Sequence, residues 1–306
     1  MTIEIALMVE GQAGLTWPRW QRIARAAEDL GFVGLYRSDH YTNAAPPDQD
    51  SLELWVSLTW LASYTSRIEF GPMVSPMSFR HPSTTARMAG AVDDLSGGRL
   101  ILGLGAGWQV REHENFGLDL LDLKPRFQRF EEGLEVITRL LRDAAPVNFE
   151  GQFYRLKDAV VLPPTQRSGG PPILIGGNGE KRTLGLVARF ADEWNAVFVT
   201  PSRFAELNSK LDDMLKARGR AINSVRRSLM TGCWFAAHDA ELTSMLSRRN
   251  LTLEQVQSRG MIAGTVPHIR AQIDTLEAVG VQRVLLQWLD VDNIEGVTAL
   301  AKGLLP

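Results

Sequence analysis

One pattern constrains this chain more than any other: a short apolar run followed by an amphipathic stretch, repeated eight times along 306 residues. The first run lies within residues 1–10. Thr16-Trp17-Pro18 then opens a helix, with proline suited to a first turn where its missing N–H costs nothing. Trp20, Ile23, Ala24, Ala27 and Leu30 fall on one helical face, and Gly31 is a natural stop. Further strands are expected over 33–36, 68–74, 100–104, 172–175, 194–199, 229–236 and 284–289, with helices between them. Parallel strands need crossovers that are usually helical, so the alternation predicts an α/β fold whose parallel sheet is covered by helices. Eight units favour a closed (β/α)8 TIM barrel over an open doubly wound sheet. The open sheet should carry a glycine fingerprint after its first strand, and Gly11-Gln12-Ala13-Gly14 is a poor version of one.

No composition break divides the chain, so one domain spanning 1–306 is expected. Insertions near 148–170 and 237–265 are long enough to act as lids or substrate-binding elements. A net charge of -2, with 33 basic residues spread along the chain, gives no support to nucleic-acid binding. The single cysteine, Cys233, rules out an intrachain disulfide and fits a reducing compartment. The apolar start contains Glu4 and is too short for a signal or anchor, so no membrane attachment is expected and the cytoplasm is the expected location. Five histidines without paired-ligand spacing argue against a metal site.

In barrels of this kind chemistry sits at the carboxyl ends of the strands, and the unusual residues gather there. Asp39-His40, after the second strand, reads as a general acid/base pair, a ligand-bonding pair or a plain helix-capping turn. Gly105-Ala106-Gly107-Trp108, after the fourth, could lay backbone beside a flat ring with Trp108 as a wall, or form a tight turn with a core tryptophan. Gly176-Gly177-Asn178-Gly179, after the fifth, precedes a helix expected to begin near Glu180. The motif is either a plain glycine-rich turn or an anion site made by exposed N–H groups and the helix dipole, and the charge of Lys181 and Arg182 tilts the reading to phosphate. Gly97-Gly98-Arg99 falls at the opposite end of the barrel and is assigned to folding.

These motifs form an ordered set. Ser38-Asp39-His40, Phe79-Arg80-His81-Pro82, Leu95-Ser96-Gly97-Gly98-Arg99, Gly103-Leu104-Gly105-Ala106-Gly107-Trp108 with Glu112, and Pro171-Pro172-Ile173-Leu174-Ile175-Gly176-Gly177 together resemble the luciferase-like monooxygenase superfamily. Arg111-Glu112-His113 after the fourth-strand motif is most similar to its branch of F420-dependent oxidoreductases. The resemblance implies a bacterial-luciferase-like barrel, a homodimer, and the deazaflavin coenzyme F420 lying across the strand ends. On it, Asp39 and His40 approach the ring, its ribityl chain or the substrate. Val74 and Ser75 match a bulge, often containing a non-proline cis peptide, that supports the ring from behind. Ala106 and Gly107 lie along the ribityl chain, while Gly176, Gly177, Asn178 and Gly179 cradle the phosphate. Ala106 and Trp108 stand where some deazaflavin enzymes carry a hydroxyl residue and an acid, which weakens transfer of a sugar-phosphate dehydrogenase activity.

The leading expectation is therefore hydride transfer between F420 and a small organic substrate. His40 would handle the proton, because imidazole is poised near neutral pH, and Asp39 would orient it or bind the coenzyme. Trp108, Phe79 and Trp288 are either apolar walls or core. An FMN-dependent monooxygenase fed by a separate reductase keeps the fold and needs a closed, dry pocket. A non-catalytic flavin-binding protein is a third reading. A hydrolase with paired carboxylates is disfavoured, since only Asp39 clearly sits at a strand end. F420 carries a polyglutamate tail that FMN lacks, so a basic path from the phosphate site, with Arg80, Lys181 and Arg182 as candidates, would favour the deazaflavin.

Overall fold

The computed structural model describes residues 3–305. Its frame is a parallel sheet rolled into a barrel. β1 (Glu4–Val9), β2 (Gly34–Arg37), β3 (Glu69–Pro72), β4 (Ser75–Pro76) and β5 (Leu102–Gly105) come first in the chain. β6 (Val147–Glu150) and β7 (Arg155–Ala159) form a separate antiparallel hairpin. β8 (Ile173–Gly176), β9 (Glu193–Val197), β10 (Arg226–Phe235), β11 (Ile262–Gly264) and β12 (Arg283–Gln287) follow. The path of paired strands runs β3-β2-β1-β12-β10-β9-β8-β5-β4, and its two ends are neighbours in sequence. β3 and β4 are two halves of one stave, interrupted at Met73–Val74, so nine strands make eight staves. A parallel bridge between Phe70 and Leu100 closes the ring. That seam depends on two glycines. A Cβ on Gly71 would fall 1.9 Å from the Ile101 carbonyl oxygen, and one on Gly103 2.0 Å from that of Pro72. Any side chain at either position would hold the staves apart.

Both faces of each stave are buried, which is why the strands read as nearly continuous apolar runs. On β1, Ile5, Leu7 and Val9 pack outward against helices, while Ala6 and Met8 pack inward with Tyr36, Ile101, Leu174 and Leu285. The helices are α1 (Trp17–Leu30), α2 (Leu54–Tyr64), α3 (Pro82–Leu95), α4 (Val110–Phe116), α5 (Leu123–Arg142) and α6 (Thr183–Phe190). They continue with α7 (Pro201–Ala217), α8 (Asp239–Ser247), α9 (Leu253–Ser258), α10 (Val266–Ala278) and α11 (Ile294–Leu304). α1 buries Trp20, Ile23, Ala24 and Ala27 and ends at Gly31 with a left-handed φ of 95°. Among the described residues no helix is long and apolar enough to cross a membrane.

At the amino-terminal end the barrel is plugged by charge. The Arg283 guanidinium, almost fully buried, donates to Glu4 Oε2 at 2.8 Å, Glu69 Oε2 at 2.5 Å and the Tyr36 hydroxyl at 2.7 Å. Burial opposes its charge, but the surrounding Tyr36, Glu193, Glu69 and Glu4 outweigh that and hold its pKa above the ordinary value.

Three expectations need correction. α6 begins at Thr183 rather than near Glu180, because Glu180 turns aside to pair with Arg203 and Lys210, each at 2.6 Å. The third strand does not run unbroken to Val74, since the chain is interrupted at the cis Met73–Val74 peptide. Neither insertion lines the main cavity. Part of the first is the β6–β7 hairpin, pinned to the side of α5 where Glu132 accepts the Gln152 and Phe153 N–H groups. The second folds as α8, α9 and β11, which extends the sheet beside the end of β10.

Candidate active site

A cavity of about 600 Å³ opens at the carboxyl ends of the staves. Nine of the residues singled out in the sequence line it: Ser38, His40, Val74, Gly105, Ala106, Gly107, Trp108, Gly176 and Gly177. Its floor is raised by Val74. The Val74 side chain leans on three glycine positions, where added Cβ atoms would lie 3.2 Å (Gly103), 2.6 Å (Gly105) and 3.1 Å (Gly176) from it. The glycines after β5 and β8 therefore make room for the bulge as well as for a ligand. The cis peptide is the one preceding Val74, not the one between Val74 and Ser75.

His40 is the titratable group best placed for chemistry. Its Nδ1 lies 2.9 Å from Glu112 Oε1, and the other carboxylate oxygen accepts the Tyr41 N–H at 3.0 Å. Glu112 is buried on α4, so this carboxylate has one orientation. With Nδ1 committed to Glu112, Nε2 is left for the cavity. Burial tends to lower the His40 pKa, but the hydrogen bond and charge of Glu112 outweigh it and the net shift is upward. Trp108 meets the imidazole edge to face, with centroids 5.6 Å apart, and is 62% exposed at the cavity mouth.

The three-residue motif on α4 works as a clamp. Arg111 grips Asp48 with two hydrogen bonds of 2.7 and 2.6 Å, which holds the loop after β2. Glu112 holds His40. His113 bridges the Gln109 carbonyl at 2.6 Å and the Ser78 hydroxyl at 2.7 Å, tying down the segment after β4. From below, the buried Arg37 guanidinium donates to the Leu52 carbonyl at 2.5 Å and to Ser57 Oγ at 2.7 Å, and desolvation pushes its pKa down to about 10.

Other expected residues lie elsewhere. Asp39 is buried and does not line the cavity; its Oδ2 accepts from Ser75 Oγ at 2.7 Å and from Arg80 at 2.5 Å. Asp39 and Ser75 thus form a latch between the ends of β2 and β4. Arg80, shared between Asp39 and Glu53, is no part of a basic path from the glycine cradle. Asn178 spends its side chain on Val197, accepting its N–H at 2.9 Å and donating to its carbonyl at 2.7 Å. Gly179 packs against Thr183 and does not line the cavity. Phe79 and Trp288 are core, the former stacked on Tyr41 at 4.4 Å.

Sequence reading missed three lining groups. Arg126, in the first turn of α5, donates to the Leu121 and Gly107 carbonyls and, among the described residues, meets no carboxylate within salt-bridge distance, so its charge faces the cradle side uncompensated. Glu10, just past β1, is held by the neutral amides of Gln12 and Gln287 at 2.9 and 2.6 Å. Asn195, fully buried on β9, donates to Ser228 Oγ, while its Oδ1 has no partner among the described residues. A buried acceptor left unmet costs about 1–3 kcal/mol, so this atom suits an N–H or O–H of a ligand. None of the three had a signal in the sequence, whereas Glu112, which holds His40 without lining the cavity, did as part of the quoted motif.

The cavity is polarised across the barrel. Along the path β1-β12-β10-β9-β8, β8 is four staves from β1, which in an eight-stave barrel is the opposite wall. The glycine cradle and Arg126 stand on one side and Glu10 on the other.

Comparison with known proteins agrees with this architecture. The family model for luciferase-like monooxygenases matches residues 3–278. The chain belongs to the luciferase-like monooxygenase family. Within it, the chain is 31% identical over 209 residues to an F420-dependent glucose-6-phosphate dehydrogenase of Microbacterium testaceum (strain StLB037). The match takes in 65% of this chain and spans 59% of that relative's length. An F420-dependent secondary alcohol dehydrogenase, solved with an F420-acetone adduct, superposes with a TM-score of 0.87 at 16% identity, covering 99% of this chain and 98% of the other. The monooxygenase RslO1 from Streptomyces bottropensis gives 0.84 at 21% identity, covering 99% of both. At these identities the two solved structures establish the shared barrel and nothing finer.

Proposed function

We propose that this luciferase-like protein is an F420-dependent oxidoreductase acting on a small uncharged alcohol or carbonyl compound. The observation that carries the reading is the His40–Glu112 pair, which presents an imidazole to a cavity walled largely by glycine and apolar side chains, with Glu10, Arg126 and Asn195 among its few polar groups. The residues fit the coenzyme. Val74 would back its ring, the unmet Asn195 Oδ1 would accept one of its donors, and Gly177 and Arg126 would face its phosphate. When bound, the deazaflavin supplies two-electron hydride chemistry.

The chain's own part is to position the substrate, exclude water and move one proton. Its raised pKa favours the protonated imidazole, so His40 can give a proton from Nε2 to a carbonyl oxygen as the hydroxyl forms. In the oxidative direction the neutral ring takes the hydroxyl proton at the same atom. Glu112 keeps the ring in one tautomer and stabilises its charge, and Asp39 holds the supporting segments in place through Ser75 and Arg80.

Charge separates substrate classes. Glu10 and Glu112 lie on the His40 side, and among the described cavity-lining residues the cation is Arg126, placed by the cradle. A phosphorylated sugar would bring its dianion toward carboxylates. Coenzyme reduction followed by absorbance should therefore proceed with neutral secondary alcohols and fail with glucose 6-phosphate. The opposite preference would overturn the substrate class. Oxygen-dependent turnover with reduced FMN would instead establish the reductase-fed monooxygenase reading. The exposed Val56 and Tyr64 on α2 support a homodimer, measurable by light scattering.

A further inference from the structure

At the carboxyl end of β9 the alternation of the strand breaks. Trp194 and Ala196 pack outward in the helix-facing core, while Asn195 and Val197 point inward to the cavity. A period of two would turn Phe198 outward and Val199 inward. The reverse is found. Phe198 packs on the inner layer that includes Met8 and Met230 and lines the cavity beside Val197, and Val199 joins the outer core. The break lies in the backbone of Phe198, whose φ of 48° is left-handed. Glycine takes that conformation freely, whereas a bulky side chain does so at a cost. The turn is held on both sides: the Phe198 N–H donates to the Met230 carbonyl at 3.0 Å, and Thr200 caps α7 two residues later. The ring occupies room left by Gly232 on β10, where an added Cβ would lie 3.5 Å from Phe198 Cε1 and 3.4 Å from Met261 Sδ. Met261 belongs to the second insertion and does not line the cavity, so the ring stands between the two.

We propose that Phe198 is a specificity-determining residue of this site, its ring limiting the apolar arm of the alcohol or carbonyl substrate to a short chain. The inference rests on the functional reading above and goes beyond it. Along β2-β1-β12-β10-β9, β9 is four staves from β2, so Phe198 stands across the barrel from His40. A substrate whose oxygen meets His40 Nε2 has its remainder facing that wall, where Val197, Phe198 and Met230 present apolar surface. Val197 and Met230 are fixed there by strand pairing, whereas the Phe198 ring is brought in by the break. Backbone strain of this kind persists only where the surrounding structure enforces it, and it gathers at ligand clamps. The cavity of about 600 Å³ must also take the coenzyme ring, which leaves little room for a long arm.

The test compares the wild-type protein with Phe198→Ala and Phe198→Gly on linear secondary alcohols from 2-propanol to 2-octanol, following F420 reduction. Wild-type kcat/KM should fall by about ten-fold or more once the arm outgrows the pocket, since one methylene in an apolar pocket is worth about 10- to 200-fold. In both variants the ratio of kcat/KM for 2-octanol to that for 2-propanol should rise by about ten-fold or more, carried by KM, with F420 bound as in wild type. Phe198→Gly removes the ring and the strained φ together, so it reads the same property if Phe198→Ala does not fold. Phe198→Trp should move the limit to shorter alcohols. An unchanged ratio would overturn the assignment, and so would an equal loss on every alcohol. Weaker F420 binding with the ratio unaltered would place the ring against the coenzyme and overturn it too. Calorimetric titration of the matching 2-ketones into the same proteins, without coenzyme, separates this inference from the functional reading. If no alcohol is turned over but the longer ketones bind tighter to the variants alone, the wall stands and the alcohol–carbonyl reading falls. If no alcohol is turned over and all the proteins bind the ketones alike, both fall.

Discussion

On β9, Glu193 and Asn195 are two residues apart and both point into the barrel; each leaves one buried oxygen without a hydrogen bond among the described residues, but only Glu193 is ringed by opposite charge. Glu193 Oε2 sits 3.6 Å from both Arg226 and Arg283, inside a network that also takes in Glu4, Glu69 and Tyr36. Asn195, one layer higher, faces the cavity with an acceptor that no described residue satisfies. The floor carries its charges in opposed pairs, whereas the mouth keeps groups in reserve. His40 Nε2, the charge of Arg126 and the Asn195 oxygen all await a partner. Mutation should therefore cost stability at the floor and chemistry at the mouth.

The sharpest break of that contrast is at His40. His40→Asn should lower kcat by about 100- to 10,000-fold, the usual worth of a positioned acid or base. Thermal stability should fall by no more than the contribution of the His40–Glu112 pair, less than the loss at the floor. At the floor, Arg283→Met leaves the buried carboxylate of Glu193 with Arg226 alone and should cost about 3–5 kcal/mol in urea unfolding, with turnover per folded molecule unchanged. Equal losses of stability from both variants would erase the distinction. Gly105→Ala is intermediate, because its methyl would sit 2.6 Å from Val74 Cγ2. It should cost about 1–3 kcal/mol through overpacking and weaken coenzyme binding as the bulge shifts.

The smallest effect is one of pH. Glu112→Gln removes the largest of the influences that raise the His40 pKa, leaving burial to lower it against the weaker charges of Glu10 and Asp39, so the His40 limb of the pH–rate profile should move to lower pH. A raised folded-state pKa also means that the pair stabilises the fold fully below the ordinary histidine value. That contribution is lost as pH rises through the folded value. The stability gap between wild type and the variant should accordingly narrow as pH increases. A gap that widens would contradict the assigned direction.

The staves and most helices were legible because both faces of a barrel strand are buried and each helix buries one stripe, and these leave periodic traces. The role of Gly97-Gly98-Arg99 was legible too: Arg99 donates to the carbonyls of Ala62 and Thr65 at 2.8 Å and of Ile68 at 3.0 Å, away from the cavity. The partners of individual side chains were not. Asp39 stands beside His40 in sequence, but its carboxylate turns to Ser75 and Arg80, while the acid that reaches His40 is 72 residues away on α4. Adjacency says nothing about which wall a strand-end side chain faces. Arg126 and Asn195 belong to an amphipathic helix and an apolar strand, and nothing in their local pattern marks them as lining residues.

The central claim is that the mouth is built for a deazaflavin, and a parallel fluorescence titration of the wild-type protein with intact F420 and with FMN tests it most directly. Low-micromolar binding of F420, with FMN at least about ten-fold weaker, a difference of about 1.4 kcal/mol, is the predicted result. Tighter binding of FMN would contradict the account and make the cavity a flavin site.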